Sequence, residues 1–253
     1  MTLRSFVRET GPPTYSLAVV SPETDPLQAM LTDAFEAQPI DVENRPDLDL
    51  EADTLVALDG DSIVATSPMT DVYADLLAVN SDLYVTGTRG LGDVSLPDAL
   101  AALSDATFEL RGYPLAHKEK FLLITISRCI EQLAWKQGSG TLRTAFQDLS
   151  RIEDELGTRD VYTELASTAV DVHCYGLTGT EPAASFPDVQ VHTGTSAPYR
   201  NGWFVVYRPT APTPTADAAA LVAVETEPRI WEGFWTYSRD RVVRIDEYIA
   251  EEL

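Results

Sequence analysis

The sequence KEKFLLITISRCIEQLAWKQGSGTLRTAFQ, residues 118–147, decides the central part of the predicted fold. It predicts one long helix whose apolar block, from Phe121 to Ile126, is wider than the single stripe of an amphipathic surface helix. A helix that is apolar on most sides is usually a buried one. Gly138-Ser139-Gly140 ends the helix, and Thr141–Phe146 has the pattern of a strand. We therefore expect a buried helix that is followed at once by a strand.

A polar cluster interrupts this apolar helix. Arg128, Glu131 and Gln132 have the i, i+3 and i+4 spacings that place side chains on one face. In one interpretation Arg128 and Glu131 pair with each other and fix the helix in place. In the other, the cluster faces a pocket that includes aromatic strands, where a guanidinium suits a carboxylate or phosphate. The residues that the second interpretation assigns to ligand binding are Arg128, Glu131, Gln132, Arg143, Gln147 and Trp235.

The composition excludes several classes of function. The chain has 253 residues, of which 44% are hydrophobic, so it can form a real core. Its net charge of −22 is typical of a protein from a high-salt cytoplasm, where a hydrated carboxylate surface preserves solubility. Lysine occurs only at positions 118, 120 and 136, and no basic patch is present. Binding to nucleic acid or to anionic lipid is therefore disfavoured.

The cysteines and the apolar runs indicate a cytoplasmic protein. Cys129 and Cys174 have no CxxC neighbour, which disfavours a zinc ribbon and a disulfide framework. The N-terminal segment MTLRSFVRETGPP lacks the apolar centre of a signal peptide. No apolar run approaches the ~18 residues of a membrane span. We expect a cytoplasmic location, reduced thiols and no membrane insertion.

The order of elements predicts the α/β (mixed α+β) fold class, in which helices and strands are mixed and do not strictly alternate. Thr54–Leu58 and Ser62–Thr66 flank Asp59-Gly60, a strong hairpin signal. A central mixed, partly antiparallel sheet flanked by helices is expected, with the long buried helix near the middle of the chain. Strands that follow one another after residue 169 favour antiparallel pairing there. We divide the chain into an N-terminal α/β region, 1–95, and a second domain, 96–253. The strand patterns after the helix lie at 141–146, 169–177, 189–192, 202–208, 219–225 and 231–237.

No catalytic or metal site is predicted. Of the three histidines, His117 is interpreted as a cap or an exposed residue. His173 and His192 are expected to approach each other across a strand pair. A metal site there would need Asp171 as a third ligand, and we disfavour it. GxSxG and HExxH motifs are absent from the sequence.

The segment GTRGLG, residues 87–92, is an alternative nucleotide loop. It lies between a strand pattern and a helix pattern, where a phosphate cradle would be placed. However, its glycines follow the order GxxGxG, no Lys-Ser/Thr pair follows, and Asp93 adds negative charge. We favour a connecting loop, and we keep a nucleotide-binding enzyme as an alternative.

Several ordered blocks of the second half resemble the DICT domain, a sensory module named from diguanylate cyclases and two-component systems. The resemblance extends from about residue 100 to about residue 250, and the whole chain is similar to stand-alone haloarchaeal proteins that carry this domain. The blocks are 118–120, 126–132, 141–147 with 150–151, 170–173 with 175–176, 203–206 and 231–237.

The resemblance implies a sensory or regulatory role, proposed for the family in light-related signalling, and no established catalytic residue or ligand. GGDEF-type and kinase segments are absent, so the output is expected on a partner. We expect a non-enzymatic, cytoplasmic signal-transduction protein that binds a small ligand or a partner protein, with an unknown cofactor requirement. The alternatives are the nucleotide-binding enzyme and a scaffold that forms a homodimer through aromatic strands or the C-terminal helix 239–253, whose apolar residues are Val242, Ile245 and Ile249.

Overall fold

Two mixed β-sheets with flanking helices form the protein, which confirms the predicted fold class. The computed structural model describes residues 1–11, 14–21, 29, 31–32, 35, 38, 40–74, 91–111, 118–154, 156–180, 189–210 and 217–253. Within these residues the strands form two separate sheets, one from the N-terminal part of the chain and one from the remainder.

The first sheet has four strands in the order β2-β1-β3-β4. The predicted hairpin is confirmed as β3 and β4, which pair antiparallel around a turn in which Gly60 has a φ of +58°. Strand β2 lies in the acidic segment 41–53 and pairs parallel to β1. The elements of this part are α1 (Leu3–Glu9), β1 (Tyr15–Val20), β2 (Val42–Asn44), β3 (Thr54–Asp59), β4 (Ser62–Pro68) and α2 (Met69–Val72).

The second sheet has seven strands in the order β5-β11-β10-β9-β6-β7-β8. A short 3₁₀ turn, Leu91–Asp93, and the helix α3 (Asp98–Ala101) precede it. Its strands are β5 (Phe108–Arg111), β6 (Ser139–Gln147), β7 (Ala169–Leu177), β8 (Val189–Gly194), β9 (Gly202–Arg208), β10 (Ala219–Glu227) and β11 (Ile230–Thr236). Its helices are α4 (Lys118–Gln137), α5 (Arg151–Asp154), α6 (Leu156–Ala166), α7 (Ala197–Asn201) and α8 (Arg239–Glu252).

The pairing in the second sheet differs in part from the prediction. β5, β11, β10, β9 and β6 pair antiparallel, whereas β6, β7 and β8 run parallel. The expectation of antiparallel pairing after residue 169 is therefore wrong for β7 and β8. For β6 and β7 the reason is the helical connection through α5 and α6, since two parallel neighbours need a crossover.

The two faces of the second sheet bury different helices. Leu142 and Leu221 face a core that contains Ile126 and Ile130 of α4 and Leu165 of α6. The alternate strand residues face a second core with α1 and α8. Leu149 and Ile152 are also buried. The second core contains Phe6, Ala145, Tyr175, Phe204, Val206, Val222 and Phe234.

The C-terminal helix uses its apolar face inside the chain. Val242, Ile245 and Ile249 of α8 are each 0% exposed and lie in the second core. These residues are therefore not available as the dimer surface that the sequence suggested. Trp231, Phe234 and Trp235 of β11 are buried as well, so these rings also stabilise the fold of the chain itself.

The long buried helix is confirmed as α4, and glycines define how it leads into the sheet. Gly138 has a φ of +65° and donates its N–H to Ala134 O, which ends the helix. Gly140 has a φ of +115°, and a Cβ there would lie 2.5 Å from Arg208 O. Only glycine allows β6 to approach β9 this closely.

Candidate functional site

The polar side chains of α4 form a buried ion pair that joins α4 to α6. Arg128 Nη1 donates to Glu131 Oε2 at 2.6 Å, and Arg128 Nη2 donates to Thr158 Oγ1 at 2.8 Å. Tyr162 donates its hydroxyl to Glu131 Oε1 at 2.8 Å. Both carboxylate oxygens of Glu131 thus have a partner. The pairing of Arg128 with Glu131, one of the two interpretations of the sequence, is present.

This ion pair lies in the protein interior, where charges are costly unless they are matched. Arg128 is 9% exposed and Glu131 is 2% exposed. Burial, and then the negative charge of Glu131, raise the pKa of Tyr162 well above its ordinary value. The hydroxyl consequently stays protonated and keeps donating to the carboxylate. The arrangement fixes the position of α4 against α6.

Gln132 connects α4 to the segment that enters the second sheet. Its Nε2 donates to Leu91 O at 2.7 Å and to Val94 O at 2.9 Å. The side chain is 8% exposed. Among the described residues, Oε1 of this amide has no hydrogen-bond partner. Gln132 therefore holds the 91–94 segment and retains one acceptor.

A cleft of about 550 Å³ lies beside this amide. Its walls come from α4, from residues 94–96, from the beginning of β10 and from Tyr237, which follows β11. Lys136 lines the cleft, is exposed and makes no ion pair with a described residue. Of the predicted ligand-binding residues, Gln132 lines it. The lining residues are Val94, Ser95, Leu96, Cys129, Ile130, Gln132, Leu133, Lys136, Asp217, Ala219 and Tyr237.

The structure separates Arg143 from the polar cluster of α4. Arg143 Nε donates to Asp246 Oδ1 of α8 at 2.6 Å, and its Nη1 donates to the Tyr175 hydroxyl at 2.8 Å. Both partners belong to the side of the sheet that packs α8, whereas Arg128 and Gln132 lie on the opposite side. One pocket that contains all six predicted residues is therefore excluded, because the sheet lies between the two groups.

Gln147 and Trp235 also lie away from the cleft. Gln147 Nε2 donates to Gly202 O at 3.0 Å, at the start of β9. Trp235 is 2% exposed and packs in the core near Phe108, with a ring-centroid distance of 6.0 Å. Its indole N–H has no partner among the described residues. Trp235 thus fills the core next to α4 without lining the cleft.

A second polar cluster lies on β7 and β8. His173 Nδ1 lies 2.9 Å from His192 Nε2, which confirms the expected approach of the two histidines. His173 Nε2 lies 3.0 Å from Asp171 Oδ2, and Tyr175 stacks on His192 at a centroid distance of 4.5 Å. Burial, then the charges of His173 and Arg143, lower the pKa of His192. In the described part of the chain, no group of three His, Cys, Asp or Glu side chains is arranged to hold a metal ion.

Sequence reasoning missed most of the cleft. Cys129, Gln132 and Lys136 lie on one face of α4, since their spacings are three, four and seven residues. That spacing was sufficient to place Lys136 with the cluster, but the partner walls come from distant parts of the chain. His117 and residues 87–90 of the glycine segment lie outside the described residues, so their predicted roles stay predictions.

The sensory-domain resemblance rests on a matching family model. The model, DICT, "Sensory domain in DIguanylate Cyclases and Two-component system", matches residues 98–225. The chain belongs to the DICT family. No curated protein matches the sequence, and neither does any solved structure. DICT is a sensory domain of signalling proteins, and the α4 wall of the cleft, with Asp217 and Ala219, lies in the DICT match. Among the described residues, no helix has the length and hydropathy that crossing a membrane requires.

Proposed function

We propose that this DICT protein is a non-enzymatic cytoplasmic sensor that binds a small molecule in the cleft beside α4 and signals by contact with a partner protein. The observation that carries the proposal is the position of the cleft. Its central wall is α4, the helix that also carries the buried ion pair, and α4 lies within the segment that matches the sensory family. The proposed sensory domain spans 96–253 and follows an N-terminal region, 1–95.

Gln132 is the proposed point where occupancy of the cleft is detected. Its Nε2 holds the carbonyls of Leu91 and Val94, while its Oε1 has no partner among the described residues. A ligand that donates a hydrogen bond to Oε1 changes the orientation of the Gln132 amide. It thereby changes the strength of the two hydrogen bonds that Nε2 donates to Leu91 O and Val94 O. The 91–94 segment precedes the second sheet in the chain and follows the first. A change at Gln132 therefore reaches the connection between the two parts.

The ion pair gives α4 a rigid support on its other side. Arg128 and Glu131 join α4 to Thr158 and Tyr162 of α6 within one turn of Gln132. With this anchor fixed, the proposed response to a ligand is directed to the 91–96 segment, which Gln132 contacts through two hydrogen bonds. Packed elements with few alternative arrangements transmit such changes as discrete shifts.

Cys129 offers a test that does not require the natural ligand. Its thiol lines the cleft, is not in a disulfide and is half-buried, whereas Cys174 is buried and burial raises the pKa of its thiol. N-ethylmaleimide is therefore expected to modify Cys129 selectively in the folded protein. The adduct occupies the cleft as a covalent surrogate. Cys129→Ser, treated in the same way, is the matched control.

The readout is hydrogen exchange of backbone amides before and after modification. A sensor is expected to show changed exchange in residues 91–96 and in further segments that do not touch the cleft. The treated Cys129→Ser protein is expected to show no change. If the adduct alters exchange only in residues that contact Cys129, the proposed sensing role is wrong.

A further inference from the structure

We infer that the cleft binds a small carboxylate with an apolar body and at least one N–H or O–H donor. This inference rests on the proposed function and names the chemical class of the ligand that the proposed sensor binds. Three independent features of the lining carry it: an unpaired cation, unpaired acceptors and an apolar wall.

Lys136 is the feature that selects an anion. The chain has 40 acidic and 18 basic side chains, so a base has many carboxylates available to it. Arg143, Arg208 and Arg241 each pair with an acid in the structure. Lys136 is exposed and, like the exposed Arg159, makes no ion pair with a described residue, but it differs from Arg159 in lining the cleft. An ammonium that is left unpaired at a cleft in so acidic a protein fits an anionic ligand group.

Gln132 and Asp217 select the second polar group. Gln132 is more than nine-tenths buried, yet its Oε1 has no partner among the described residues while both bonds of Nε2 are made. Since Gln132 lines the cleft, this oxygen is open to a hydrogen-bond donor of a ligand. Asp217 also lines the cleft and accepts hydrogen bonds only. A simple fatty acid, which has no donor, leaves both acceptors unmatched.

The remaining wall is apolar. Val94, Leu96, Ile130, Leu133 and Ala219 line the cleft together with the ring of Tyr237. The volume of about 550 Å³ lies within the usual range for small-molecule sites. Such a wall favours an aromatic or branched body over a fully hydrated ion, so inorganic phosphate is expected to bind poorly.

A matched series of probes tests the ligand class. 4-Hydroxybenzoate, its neutral amide 4-hydroxybenzamide and the cationic 4-hydroxybenzylamine share a ring and a hydroxyl and differ in charge. Binding is measured by calorimetry and by slower reaction of Cys129 with a thiol reagent, 5,5′-dithiobis(2-nitrobenzoate). The carboxylate is expected to bind roughly tenfold or more tightly than the amide, because it makes a charge-assisted bond. The amine is expected to bind more weakly than the amide.

Substitutions assign the preference to individual residues. Lys136→Gln is expected to remove the preference for the carboxylate, and Lys136→Arg to retain most of it. Asp217→Asn is expected to strengthen carboxylate binding, since it removes a negative charge from the cleft. Arg159→Gln changes the net charge equally at an exposed position on α6 and is expected to leave the preference unchanged.

The outcomes separate this inference from the proposed function. Equal or tighter binding of the amine, or no protection of Cys129 by the carboxylate, would overturn the ligand class. If, in that case, the N-ethylmaleimide adduct still changes hydrogen exchange in residues 91–96 and in remote segments, the sensing role is retained although the ligand class is wrong. If the carboxylate binds but the adduct changes hydrogen exchange only in residues that contact Cys129, the binding site is supported and the sensing role is wrong.

Discussion

At the scale of single residues, the ion pair between Arg128 and Glu131 is expected to dominate local stability. Arg128→Met leaves the Glu131 carboxylate buried at 2% exposure, where it keeps the hydrogen bond from the Tyr162 hydroxyl but loses its opposite charge. Breaking one side of a buried pair costs about 3–5 kcal/mol of unfolding free energy. The double variant Arg128→Met/Glu131→Gln removes both charges and is expected to recover a large part of that loss. Urea unfolding of the two single variants and the double variant measures the coupling. A cost below about 1 kcal/mol for Arg128→Met would contradict the structural role given to the pair.

The residue scale also shows where the sequence was informative about the site. The spacing of Arg128 and Glu131 predicted their pairing, because both residues lie on one turn of one helix. The partners of Gln132 lie 41 and 38 residues away in the chain, and no local pattern indicates them. Arg143 was grouped with the helix cluster, but alternation along β6 turns it toward α8. Side-chain direction relative to a sheet depends on which face each helix covers, and the sequence does not determine this.

At the scale of elements, the parallel pair β7 and β8 carries a hydrogen-bonded relay that depends on pH. Asp171 can only accept, so His173 Nε2 donates to it and His173 Nδ1 accepts from His192 Nε2. The nearby groups are Arg143, which disfavours a further proton, and Tyr175, which stacks on His192. Through Tyr175 and Arg143, this strand pair is connected to Asp246 of α8.

The lowered pKa of His192 gives the sign of the pH dependence. Its ordinary value is 6.5, and the folded protein holds it lower, so the folded state disfavours the protonated ring. The contribution of neutral His192 to the free energy of unfolding is fully present above pH 6.5. It is lost as the pH falls from 6.5 through the lower pKa of the folded state. His192→Gln is expected to reduce this slope of unfolding free energy between about pH 7 and pH 5. Urea titrations at several pH values measure the slope, and an identical slope in the variant would exclude His192 as its source.

Elements with local signals were predicted well, and those that depend on distant neighbours were not. Helix α4 follows from its apolar block and from Gly138, both within its own sequence. The hairpin of β3 and β4 follows from Asp59-Gly60. The parallel alignment of β7 beside β6 and the three-residue β2 depend on partners elsewhere in the chain. Strand type alone does not specify a neighbour or its direction.

At the scale of the whole molecule, the charge is expected to make folding depend on salt. The net charge is −22, so compact folding brings many carboxylates closer together than they are in the unfolded chain. Screening shortens the range of this repulsion from about 10 Å at ~0.1 M salt to about 3 Å at ~1 M. The buried pairs, such as Arg143 with Asp246, are screened less and retain their contribution. The melting temperature is therefore expected to rise with KCl over this range, as measured by circular dichroism or calorimetry.

Choline chloride of equal ionic strength is expected to have a similar effect, since screening depends on ionic strength and not on the identity of the cation. A melting temperature that is constant in both salts would show that surface repulsion contributes little, and a response to KCl alone would indicate specific potassium binding instead of screening.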